Sequence, residues 1–128
     1  PLGMTSTVSR DHDRSEIEGL AVGYARPKKR FVKVGPVLRL GGGSLVSTID
    51  DLAKWDAALH SDVLVRLTTL DQIWTPQILT GGKVANMGRD GQGRHFKPGF
   101  GWFIGNESER RLVHHSGGVD GFASHIDR

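Results

Sequence analysis

Cysteine is absent from the 128 residues, so a disulfide framework and a thiolate metal site are both excluded. Long apolar runs are absent too. The longest uninterrupted one is three residues, whereas a membrane-spanning helix needs about 20 and a signal-peptide core about 7–15. No span is therefore expected within these residues. Charge of one sign is lacking: Lys+Arg 17 against Asp+Glu 14 leaves +3. A balance that small speaks for solubility and against a nucleic-acid partner. Aromatics make up only 7%, with one tyrosine, Tyr24. No period of about 20–50 residues recurs, which removes solenoids and propellers.

Glycine is what the chain has in excess, 18 residues. That is about twice the usual share of roughly 7%, so many turns or close backbone approaches are expected. With 37% apolar residues besides, the composition is that of an ordinary globular chain, one domain at most.

Residues 1–40 read as mostly irregular, with turn signals at Gly3, Gly19, Gly23, Pro27, Gly35 and Pro36 and two short extended pieces, 20–25 and 31–34. Between them lie five basic residues in eight positions: Arg26, Lys28, Lys29, Arg30 and Lys33. They fit a solvated loop or a patch for an anionic partner. Phe31 alone interrupts them, which is thin for base stacking.

Residues 41–80 read as helical. After Gly41-Gly42-Gly43, Ser47 is placed as N-cap with Asp50 as the capping-box acid, and Asp50 and Asp51 suit the positive end of the helix dipole. Leu52, Trp55 and Leu59 share one face, widened by Ile49 and Ala53, so a helix is predicted over 48–60 with those side chains inward. A shorter helix, 70–74, is predicted with Thr68 or Thr69 as its cap, Leu70, Ile73 and Trp74 inward, and Pro76 as its stop. Residues 81–98, rich in Gly and polar residues, read as a long loop. Strands are predicted at 100–104, 111–115 and 122–126, with turns at 106–110 and 116–121, forming an antiparallel meander. The fold class is α+β.

Three constellations could carry chemistry. His114, His115 and His125 cluster in sequence, with His12, His60 and His95 more distant. On a strand His114 and His115 point to opposite faces, and neither HExxH nor His-x-His occurs, so no metal or other cofactor is expected. Thr80-Gly-Gly-Lys83 is too short for a phosphate loop. The third runs Val113-His-His-Ser-Gly-Gly-Val-Asp-Gly-Phe-Ala-Ser124. Here small residues after a strand would let a substrate carbonyl reach backbone N–H groups; the plainer reading is a turn needing positive φ.

The stretch 114–124 resembles the third active-site motif of serine β-lactamase-like proteins, the family of class C β-lactamases, low-molecular-weight D,D-peptidases and related esterases. That motif is Lys-Thr-Gly or His-x-Gly followed by a Gly-Phe-x-Ser strand. Pro1-Leu-Gly-Met-Thr-Ser-Thr7 resembles the family's Pro-Leu-Gly-Met-x-x-Thr. Gly41 to Trp55 resembles its Gly-Gly-x-x-Ser-Thr-x-x-Asp-Leu-x-x-aromatic helix start, and Phe100-Gly-Trp102 its Gly-x-Gly-Trp strand. The resemblance implies a partial β-lactamase/transpeptidase-like fold and a C-terminal portion of a longer domain without its final strand and helix. It places His115 at the Lys/His position and Ser116 where a hydroxyl meets a substrate carboxylate. Gly117 keeps the strand close to substrate, and Gly118 offers an N–H to the oxyanion hole. It implies a small-molecule or peptide acyl substrate and acyl transfer at an amide or ester.

Two family elements do not occur here. The residues three before Lys28, Lys29, Lys33, Lys54, Lys83 and Lys97 are Ala25, Arg26, Arg30, Asp51, Thr80 and Arg94, so there is no Ser-x-x-Lys. The single tyrosine leads Tyr24-Ala-Arg26, so there is no Tyr-x-Asn. Without nucleophile and base the chain is expected to be inactive alone and prone to self-association. The competing expectation is a non-catalytic module that binds a partner through residues 26–33 or a sheet edge.

Overall fold

The computed structural model describes residues 2–9, 17–34, 41–89, 95–119 and 121–128. Pro1, His12, Gly35, Pro36, Arg94 and Asp120, named above, lie outside them. The chain divides into two compact units, one formed by residues 1–57 and 117–124, the other by 58–116 and 125–128.

In the first unit, β1 (Val8–Ser9) pairs antiparallel with β4 (Leu45–Val46), and β2 (Gly23–Ala25) with β3 (Val32–Val34). The two extended pieces expected near the start are thus present as a hairpin, joined by a 3-10 turn over Pro27–Lys29. Glycine is required at two places. A Cβ on Gly23 would lie 2.5 Å from the Phe122 ring, and one on Gly121, whose φ is +82°, would lie 2.3 Å from Val34 Cγ2. These bare positions let the hairpin and the start of the last strand approach to backbone distance.

Helix α1 spans Ile49–Ala58. Its cap is Thr48, not Ser47: the Thr48 carbonyl accepts the first helical bond from Leu52, and its hydroxyl accepts the Asp51 N–H at 3.3 Å. The Ser47 hydroxyl is instead within 2.8 Å of the Thr7 hydroxyl. The predicted inward face holds at Leu59, which is buried, and is corrected nearer the start of the helix. Trp55 is half-buried, but Leu52 is 40% and Ile49 80% exposed. The buried side chain of the first turns is Asp51, 2% exposed. Its carboxylate accepts the Ser6 N–H at 2.7 Å, the Thr7 hydroxyl at 2.9 Å and the Lys54 ammonium at 2.9 Å. Lys54 also donates to the Gly3 carbonyl. A hydrophobic pattern cannot reveal this, because the acid is stabilised by donors from a distant segment. Asp51 therefore ties the Leu2–Thr7 segment to the helix that follows Gly41–Gly43.

In the second unit, Ala58, Leu59, Leu70, Ala85, Phe96, Ile104, Leu112 and Val113 form the buried core. Helix α2 spans Leu67–Ile73, starting earlier than predicted. Arg66 caps it without a side-chain bond, and the Asp62 carboxylate accepts the Leu67 N–H. Leu70 is buried, and Ile73 and Trp74 are half-buried, as expected. The segment read as a long loop contains a bridge between Ile78 and Val84 and two strands, β5 (Gly88–Arg89) and β6 (His95–Pro98). Its glycines hid a ladder whose buried members, Ala85 and Phe96, are too few to show a period.

Strand β7 (Phe103–Glu107) begins three residues later than predicted. Gly99 donates to the Trp102 carbonyl, and Gly101 at φ +71° closes a tight bend there. Ser108 and Glu109, both at positive φ, turn it into β8 (Arg110–Val119), and β9 (Phe122–Asp127) follows. The five strands order β5-β6-β7-β8-β9, and every register resolved is antiparallel. β8 is ten residues long: the turn expected at 116–121 is strand as far as Val119. Glycine pairs read as turn signals, but small residues also suit a ladder.

Candidate active-site motif

All four candidate residues lie in succession on β8. The first two, His115 and Ser116, belong to the second unit, and Gly117 and Gly118 to the first. Alternation along the strand separates the paired histidines as expected: His114 is buried and His115 exposed. The His115 ring stacks on Phe103, with centroids 5.3 Å apart and planes at 13°. Ser116 is exposed.

β8 is not an edge strand; β7 and β9 flank it. The β7 register nevertheless ends at Phe103 opposite His114. A Cβ on Gly117 would lie 2.6 Å from Ser124 Oγ, so these two residues face each other across the hairpin. The Val113 and Arg128 backbones exchange N–H···O bonds, a register that puts Gly118 opposite Ala123. Hydrogen-bonded and non-hydrogen-bonded pairs alternate from there, which leaves the Gly118–Ala123 pair non-hydrogen-bonded. The Gly118 N–H and C=O thus turn away from β9. A Cβ on Gly118 would meet nothing within 4 Å, so the sheet face on which it would project is open there.

His114 packs against Phe96 and Phe103, with ring centroids at 4.1 and 5.5 Å. It also lies 5.5 Å from the His125 ring, and His125 Nε2 is 2.7 Å from Asp127 Oδ1. The turn expected at 116–121 implies Ala123 opposite His114, whereas the reciprocal bonds between Val113 and Arg128 place Asp127 there. A two-residue turn at 120–121 would have put His114 opposite Asp127. His60 lies elsewhere, 2.7 Å from the Arg128 guanidinium, and His95 stands exposed on β6.

Among titratable groups Asp51 is clearly perturbed. The Lys54 ammonium holds its carboxyl below the ordinary carboxylate value, helped by the Ser6 N–H and Thr7 hydroxyl and opposed by burial. No helix among the described residues is long and apolar enough to cross a membrane.

Over 89 residues the chain is 29% identical to Penicillin-binding protein 4* of Bacillus subtilis (strain 168), a match covering 69% of this chain and 17% of that protein. The octameric penicillin-binding protein homologue from Pyrococcus abyssi has the same fold, with a TM-score of 0.77 at 24% identity, over 99% of this chain and 28% of that one. The chain thus spans a minor part of the length of both. The family pattern named Beta-lactamase matches residues 1–126. Nearly the whole chain answers to that pattern, and on this ground it belongs to the Beta-lactamase family.

Proposed function

We propose that these residues form the third-motif wall of a serine hydrolase that transfers acyl groups from an amide or ester. In this reading Gly118 gives its N–H to the carbonyl oxygen as negative charge develops there. Ser116 binds a carboxylate or hydroxyl of a small-molecule or peptide substrate, and His115 takes the place of the family's Lys. The observation that carries the reading is Gly118 itself: bare of side chain, open on the face where a Cβ would project, with an N–H that the Val113–Arg128 register turns away from β9. A donor in that position acts on the transition state, where it is worth most. Nucleophile and base have to come from a Ser-x-x-Lys helix that these 128 residues do not hold.

Acylation tests the proposal. The 128-residue chain alone should give no adduct with a serine-directed acylating probe and no turnover of a chromogenic β-lactam or short ester. Joined to a family member's Ser-x-x-Lys half, it should support labelling of the supplied serine. Gly118→Pro, which deletes the N–H, should then slow acylation about 10²–10³-fold. An acyl group found on Ser116 of the isolated chain would refute the assignment. The solved homologue is octameric, and we extend self-association to this chain as part of the same proposal. A second reading, a binding module for an anionic partner, rests on Arg26 lying 5.2 Å over the exposed Phe31 ring among Lys28, Lys29 and Lys33.

A further inference from the structure

The geometry points to a divalent-cation site at the far end of the β8–β9 hairpin, formed by His114, His125 and Asp127 and suited to zinc. The donor atoms of these three side chains all lie within 4.8 Å of one another. They come from two neighbouring strands, with His125 and Asp127 two apart on β9 and so on one face. Opposite strand positions share a face, which brings His114 to the same side.

The donor set decides the cation. Two imidazoles and one carboxylate suit zinc and its first-row neighbours, not the all-oxygen shells of magnesium or calcium. Zinc–nitrogen and zinc–oxygen bonds of about 2.0–2.2 Å put tetrahedral ligand atoms about 3.3 Å apart. His125 and Asp127 are already at 2.7 Å, so only modest side-chain rotation is needed to gather all three. That rotation falls to His125 and Asp127, which are exposed; His114 is buried and held between the Phe96 and Phe103 rings. One rigid ligand with two adjustable ones is a workable arrangement. Solvent supplies the fourth ligand on the exposed side. The cation would displace the hydrogen bond between His125 and Asp127, and any imidazole proton given up goes to water. It would pin β9, the last strand of the sheet, to β8.

Calorimetric titration of the metal-free chain with zinc chloride tests this. One zinc per chain is expected, with a thermal midpoint raised by zinc and restored by a chelator. Cobalt(II) at the same site should show the visible bands of four-coordinate geometry. His125→Ala and Asp127→Asn should each weaken binding at least about tenfold, the scale on which even outer-shell ligand partners act. His95→Ala should leave it unchanged. His114→Phe should abolish binding, and because the two exposed-ligand variants do not touch the core, a folding failure there leaves the test intact. Absence of saturable binding, or binding lost with His95 and retained in the His125 and Asp127 variants, would overturn the assignment.

Discussion

Asp51 shows how much one side chain settles. It is the acid of the third helical position, yet its oxygens are taken by Ser6, Thr7 and Lys54. Its carboxyl titrates below its ordinary value of 3.8. Its contribution is therefore fully present above that value and disappears as pH falls through the lower folded one. A urea midpoint followed from about pH 5 to about pH 2 should fall across that window, and Asp51→Asn should flatten this part of the profile while lowering the midpoint at neutral pH. Gly121 is the second such residue. At φ +82° with Val34 and Tyr24 against it, Gly121→Ala should cost about 1–3 kcal/mol from backbone strain, with the clash added. An unchanged midpoint would contradict the close approach.

At the scale of elements, the start of α1 and the length of β8 matter most. Thr48→Ala should cost about 0.5–2 kcal/mol, because its hydroxyl caps the helix. Ser47→Ala should cost less, since that hydroxyl serves Thr7 instead. Thermal midpoints of the two variants compare them directly, and the reverse order would contradict the cap. For β8, the glycine pair at 117 and 118 was legible as special but was assigned to a turn. Glycine marks both turns and close strand approach, and only the partner strand distinguishes them. The error moved the register, and with it the neighbours of His114. The strand pair 111–115 and 122–126 was legible in type, because two short runs free of Gly and Pro are bounded there by turn signals.

For the molecule as a whole, large apolar side chains remain exposed: Ile49 at 80%, Phe31 at 71%, Ile78 at 68% and Phe100 at 66%. Such surfaces seek cover, and β9, last in the sheet order among the described residues, offers an edge to another strand. Light scattering of the purified chain should therefore show mass rising with concentration. A monodisperse monomer with a single cooperative melt would count against it. The family was legible before any fold was in hand, since four short motifs occur in the right order. Two of them meet physically: the Leu2–Thr7 stretch and the 41–55 stretch join through Asp51 and Lys54. Their residue types are thus explained by packing and hydrogen bonding as well as by descent.

Composition and short motifs determined the α+β class, the helix near 49–58, the antiparallel strands, the split between His114 and His115, and the family. These follow from local rules: periodicity, capping residues, turn chemistry and strand alternation act within a few residues of each other. Tertiary structure alone decided that Asp51 is buried and Leu52 is not, that Gly88–Arg89 and His95–Pro98 enter the sheet, and that His114 meets His125 and Asp127. In each case the partner is distant in sequence or displaced by a register shift, and register is set by turn geometry and pairing rather than by local residue type.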